Sequence, residues 1–187
     1  MPDRIAAPNF ATLTAEALGA DDLQNEGING ISFSSLSPVL PEWSLCRRVA
    51  DLPVGDLTIL AAGTNDFGTN VPLGSPADTK DVSFFGALHI VLGTLSRRAA
   101  GKRVVLISPI LRKNEEKNRA GFSLDDYRRA IHAVAERYRL PILDGRTFPV
   151  RPANPQERAR YMPDGTHPNE EGHRLYAAWL LRYLLPT

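Results

Sequence analysis

Near the C-terminus the chain reads DGTHPNEEGHRLYAAW over residues 164–179, with Asp164 three residues ahead of His167. An imidazole that accepts a proton at one ring nitrogen is held in the correct tautomer by a hydrogen bond from the other. A carboxylate at that second nitrogen also stabilises the imidazolium that forms. Asp164 would supply both effects locally, so the pair reads as a general base and its orienter. Two further stretches carry groups of another kind: NEGING (25–30) ends in Gly30, and AAGTNDFG (61–68) carries Asn65. A backbone N–H on a glycine loop and a side-chain amide can both donate to an oxyanion. Losing one such donor typically costs about 3 kcal/mol of transition-state stabilisation. A D-x-x-H spacing is common by itself; its weight comes from the two donor loops that precede it in chain order.

These groups need elements to position them. The chain alternates short apolar runs with amphipathic stretches, the pattern of a layered α/β domain. FATLTAEALGA (10–20) reads as a helix stopped by Gly19, and DLQNEGI (22–28) as a short strand entering a glycine-rich loop. PEWSLCRRVADL (41–52) reads as a helix. DLTILAAG (56–63) is a continuous apolar run, expected to be a strand buried on both faces. A loop over 67–80 precedes a helix at 83–99, then a strand at 102–110. Ser123 caps the next helix, with Asp126 at the capping-box position. A fourth strand spans 140–144, a polar connection follows, and a final helix runs from about Asn169 to Leu185. In open parallel sheets functional groups collect at the carboxyl edge of the strands. The loops at 25–30, 63–66 and 164–167 suit that edge. No repeat or second domain is evident, and residues 1–187 are expected to form a single domain.

Twenty-two Lys and Arg nearly cancel twenty-one Asp and Glu, for a net charge of +1, which argues against a nucleic-acid partner. The basic groups at Arg97, Arg98, Lys102 and Arg103, and at Arg128 and Arg129, are expected on solvated helix faces. One cysteine, Cys46, excludes a disulfide framework and reads as a packed small side chain. No run approaches the ~18 apolar residues of a membrane span, and no secretory signal is read at the start, so a cytoplasmic location is expected. His89, His132 and His173 lie at helical positions whose spacing does not build a zinc site, and no metal or cofactor is expected. Phe67, Phe84, Phe85 and Tyr161 suit either the lining of a substrate pocket or core packing.

Three of these stretches resemble conserved blocks of the SGNH/GDSL hydrolases: NEGING the second, GTND the third, and DGTHPNEEGHRLYA the fifth. The resemblance runs from about Phe10 to Leu185. It implies a flavodoxin-like three-layer α/β/α sandwich around a parallel sheet, and serine-dependent hydrolysis of a small-molecule, lipid or sugar ester without a metal. It further implies that His167 is the general base, Asp164 its orienter, and Gly30 and Asn65 oxyanion-hole donors. The family's first block, a strand ending in Gly-Asp-Ser, is not seen here. Only MPDRIAAPN lies ahead of the first helix, with no serine. Three expectations follow: residues upstream of Met1 are absent from the chain, another chain or a rearranged segment fills the gap, or the nucleophile has moved. For the last, Ser32 and Ser34 in FSSLS are the weak candidates, against a reading of that stretch as a polar turn. An unfilled sheet edge would also favour a homo-oligomer. The rival class is a catalytically inactive binding or interaction module of the same fold.

Overall fold

A computed structural model of the chain describes residues 8–185. In chain order its elements are α1 (Phe10–Leu18), α2 (Leu45–Arg48), β1 (Leu57–Ala61), α3 (Thr64–Gly68), α4 (Phe84–Arg98), β2 (Arg103–Ile107), α5 (Leu124–Arg137), β3 (Ile142–Leu143), α6 (Pro155–Tyr161) and α7 (Glu170–Leu184). They divide into two compact units: residues 30–109 with 115–145, and 8–29 with 110–114 and 146–185. The stretch 1–7, part of the serine-free lead noted above, lies outside the described residues.

The larger unit holds a parallel sheet in the order β1-β2-β3, with Ile59 opposite Val105 and Leu106 opposite Ile142. β2 is central, and Val104 through Ile107 are buried. β1 departs from the sequence expectation: its residues are half-buried and Ala61 is exposed. Among the described residues β1 pairs only with β2, so it is not covered as an interior strand would be. α4 and α5 carry the apolar stripes that the periodicity predicts. Ser83 caps α4 by accepting the Gly86 N–H, and Ser123 and Asp126 form the expected reciprocal capping box on α5. Phe84, Leu88, Leu92, Tyr127 and Ile131 form one core with Phe33. Phe84 and Phe85 belong to that core, as does Phe67.

The stretch expected as one helix at 41–52 is a 3-10 turn at Pro41–Trp43 followed by the single turn of α2. Arg98, the last residue of α4, has a use other than solvation against this stretch. Its Nη1 donates to the Val49 and Leu52 carbonyls, at 2.7 and 2.6 Å, and Lys102 Nζ donates to the Val54 carbonyl at 2.8 Å. Arg128 also overturns the solvated-face expectation, because it is buried.

The smaller unit is helical. The predicted strand at 22–28 is reduced to one bridge residue, Ile28. α6 arises in what reads as a polar connection: Asn154 caps it by accepting the Gln156 and Glu157 N–H groups, and Pro155 takes the first helical position. α1 lies against α7, capped by a reciprocal Asn9–Thr12 box and ended by Gly19. The Phe10 ring sits 4.4 Å from that of Tyr176, and Phe148 and Trp179 continue the aromatic cluster. Among the described residues no helix is long and apolar enough to cross a membrane.

One contact in this unit titrates. The Phe10 N–H donates to His173 Nδ1 at 3.3 Å, which requires a neutral ring. Burial holds the His173 imidazole below its ordinary 6.5. A histidine depressed by folding contributes stability that is complete above its unfolded value and is lost as pH falls through the folded one. The thermal midpoint should therefore drop as pH falls below the ordinary 6.5 of the ring. His173→Asn keeps an acceptor without titrating and should flatten that limb; a melting curve with the same pH dependence would clear His173 as its source.

Candidate active site

The loop between α6 and α7 holds Asp164 and His167 in one interlocked turn. Asp164 Oδ1 accepts the N–H groups of Thr166 and His167, both at 2.8 Å. Its other oxygen, Oδ2, lies 2.6 Å from His167 Nδ1. A carboxylate can only accept, so Nδ1 carries the proton and Nε2 presents its lone pair. Nε2 has no hydrogen-bond partner among the described residues. Partial burial acts to raise the Asp164 carboxyl, but hydrogen bonds from the His167 N–H, the ring and the Thr166 N–H outweigh it and hold it at about 2. Both side chains face solvent, His167 at 75% and Asp164 at 56% exposure, so the base is accessible. Between them Gly165 turns with φ +78°, and its carbonyl accepts the Lys113 N–H at 2.7 Å. A Cβ there would stand 2.6 Å from Lys113 Cβ, which is why the motif needs glycine. Asn169 then caps α7 by accepting the Gly172 N–H at 3.0 Å.

In the larger unit Gly30 and Asn65 are brought together. β1 leads through Gly63 into α3, which presents Asn65 and Asp66 to the loop that follows Gly30. Asn65 Nδ2 donates to the Ile31 carbonyl at 2.7 Å, leaving its second N–H without a partner among the described residues. Gly30 has φ +78°, and a Cβ there would stand 2.9 Å from Val39 Cγ1. Its N–H likewise meets no acceptor among the described residues. Both donors thus remain unspent, and the bond to the Ile31 carbonyl holds the Asn65 amide on the residue that follows Gly30.

Ser32 and Ser34 are buried. Ser34 donates to Asp81 Oδ1 at 2.7 Å and accepts the Leu36 N–H at 3.1 Å, as a polar turn would. Ser32 Oγ has no partner among the described residues. Neither hydroxyl is bonded to a histidine. Burial, helped by Asp81 and opposed by Ser44, pushes the Cys46 thiol up to about 11, away from the thiolate form. His89 is spent on Tyr138 and the Pro76 carbonyl, at 3.2 and 3.1 Å. Among the described residues no three His, Cys, Asp or Glu side chains converge as metal ligands would.

Two residues escape the sequence reading. Asp66 is buried and accepts the Phe33 and Ser34 N–H groups; Asp81 gathers the hydroxyls of Ser34 and Ser35 and the Ser35 N–H. Asp66 directly follows Asn65 at the start of a helix, and that doubled polar pair was the available signal.

No curated protein matches the chain. Among solved structures it is similar to a protein from Lactobacillus plantarum, with a TM-score of 0.87 and 27% identity over 97% of this chain and 89% of that one. The M. smegmatis aryl esterase superposes with a TM-score of 0.66 at 21% identity, covering 98% of this chain and 89% of that one. For the acetyl xylan esterase AlAXEase the score is 0.63 at 16% identity, over 97% and 93%. These likenesses show the fold class, a parallel sheet with flanking helices of the three-layer α/β/α type expected from the sequence. With residues 3–175 matching the model of the GDSL-like Lipase/Acylhydrolase family, the chain belongs to that family of ester hydrolases.

Proposed function

We propose that the protein cleaves carboxylic esters, an acyl or acetyl group on a small alcohol, lipid or sugar, by serine-type acyl chemistry. His167 Nε2 takes the proton from the attacking hydroxyl as its oxygen bonds the carbonyl carbon. The carbonyl oxygen gains negative charge and is met by the Gly30 N–H and the Asn65 amide. The imidazolium, steadied by Asp164, returns the proton to the leaving alkoxy oxygen as its bond to carbon breaks. Water then repeats the sequence on the acyl-enzyme and restores the hydroxyl. The four assigned residues do not include the nucleophile.

The observation that carries this reading is the Asp164–His167 pair, with Nδ1 committed at 2.6 Å and Nε2 unspent. The similarity to an aryl esterase and an acetyl xylan esterase supports a small ester as substrate. The test is labelling of the full gene product with a fluorophosphonate, followed by peptide mapping. One serine should be labelled, and His167→Ala should abolish the labelling. A label on Ser32 or Ser34 would establish a relocated nucleophile. Absence of any label, with an ester analogue still bound, would instead mark a binding module.

A further inference from the structure

An ionised carboxylate inside a protein is costly unless donors or a cation replace its water. Asp66 is 0% exposed and has no ion-pair partner among the described residues. Its charge is met by main chain: Oδ2 accepts the Phe33 N–H at 2.9 Å and Oδ1 the Ser34 N–H at 3.0 Å. Its neighbour Asn65 holds the Ile31 carbonyl. The consecutive pair Asn65–Asp66 therefore grips the peptide run directly after Gly30 at three points. The opposite side of the run is fastened by Cys46 N–H to the Phe33 carbonyl and by Asp81 to Ser34 and Ser35. An asparagine at 66 would offer one accepting oxygen and set an NH2 against the other peptide N–H.

We infer that Asp66 is a positioning residue: its ionised carboxylate sets the shape of the 30–34 loop, aims the Gly30 N–H, and makes that loop responsive to pH. The inference rests on the assignment of Gly30 and Asn65 as oxyanion donors. Burial pushes the Asp66 carboxyl up to about 7, against the pull of the Phe33 and Ser34 N–H groups, and Asp81 adds to the rise. Among the described residues the ionisable groups facing it are Asp81, across the loop, and Tyr127 on α5, whose phenol is itself raised by burial and by Asp66. Protonation of Asp66 would put an O–H where a peptide N–H needs an acceptor. The loop is therefore fully gripped above neutrality and loosens as pH falls.

Amide 15N–1H spectra of the full chain test this without any need for turnover. The Phe33 and Ser34 signals should titrate together, with a midpoint well above the ordinary 3.8 of a carboxyl. Asp66→Asn should abolish that titration. Asp81→Asn, which removes the neighbouring negative charge, should lower the midpoint and serves even where Asp66→Asn does not fold. In turnover, Asp66→Asn should lower kcat at least about tenfold with KM little changed, since a misaimed donor weakens only transition-state contacts. Amides that do not titrate above about pH 5, or that still titrate in Asp66→Asn, would overturn the inference. Titrating amides with an unchanged kcat in Asp66→Asn would overturn the positioning role. Full activity in His167→Ala would instead strike the underlying functional reading and leave the loop titration standing.

Discussion

Replacing His167 by alanine should cut ester turnover by about 10²–10⁴-fold, with KM and the melting temperature nearly unchanged. The loss falls on kcat because the proposed base would act on a proton in flight, and the side chain is exposed rather than part of a core. Asp164→Asn should cost a comparable factor, on the order of 10³-fold, by another route. The amide oxygen can still accept the Thr166 and His167 N–H groups at the position of Oδ1, so the turn survives. At the position of Oδ2 an NH2 would face Nδ1, and Nδ1 would have to accept. The proton then moves to Nε2, where the lone pair is needed. Asp164→Ala should lose the turn as well as the tautomer. The pH profile separates these roles further. With its carboxyl held at about 2, Asp164 stays ionised across the working range. A carboxylate depressed by folding stabilises above its ordinary 3.8 and gives that up only as pH falls toward 2. An acid limb in kcat/KM therefore does not arise from Asp164. Kinetics on p-nitrophenyl acetate, with a melting curve for each variant, decide the matter. Wild-type kcat in His167→Ala removes the assigned base.

The parts legible in the sequence were those whose information is local. α4, α5 and α7 announce themselves by periodic apolar residues and by caps at Ser83, Ser123 and Asn169, each within four residues of what it caps. The Asp164–His167 turn is legible for the same reason: both partners lie inside one motif. α6 carried a readable start, Asn154 followed by Pro155, inside a stretch whose polarity disguises it. Asp66 was not legible because its partners lie 32 and 33 positions upstream. The half-burial of β1 escaped because an apolar run states what a strand contains, not how many neighbours pair with it. The missing strand at 22–28 reflects a weak signal, with polar Gln24, Asn25 and Glu26 leaving only Ile28 buried.

Arg128→Ala should destabilise the chain by roughly 3 kcal/mol, whereas Arg129→Ala beside it should stay within about 1 kcal/mol of wild type. The letters are the same and the environments opposite. Arg129 is 64% exposed and pairs with Asp125 and Asp126 on its own helix, an arrangement that water and salt weaken. The Arg128 side chain is 2% exposed. Its Nε donates to the Pro109 carbonyl at 2.8 Å, and its two amino groups fork onto Glu115 at 2.9 and 2.7 Å. Truncation removes the donor to that carbonyl and takes the fork away from a carboxylate that is only 27% exposed. That partial exposure keeps the cost at the lower end of about 3–5 kcal/mol for breaking a buried pair. A chain of this size should lose about 2–4 °C of melting temperature per kcal/mol, hence roughly 10 °C. Lysine at 128 should recover little, because a point charge cannot fork onto both carboxylate oxygens and also reach Pro109. Changing both partners, Arg128→Met with Glu115→Leu, should recover part of the loss, since apolar side chains of similar volume need no fork there. Urea unfolding of the two single variants and the double closes the cycle. If the double variant is as unstable as the sum of the singles, the pair is not coupled and Arg128 acts through the Pro109 carbonyl and packing rather than through Glu115.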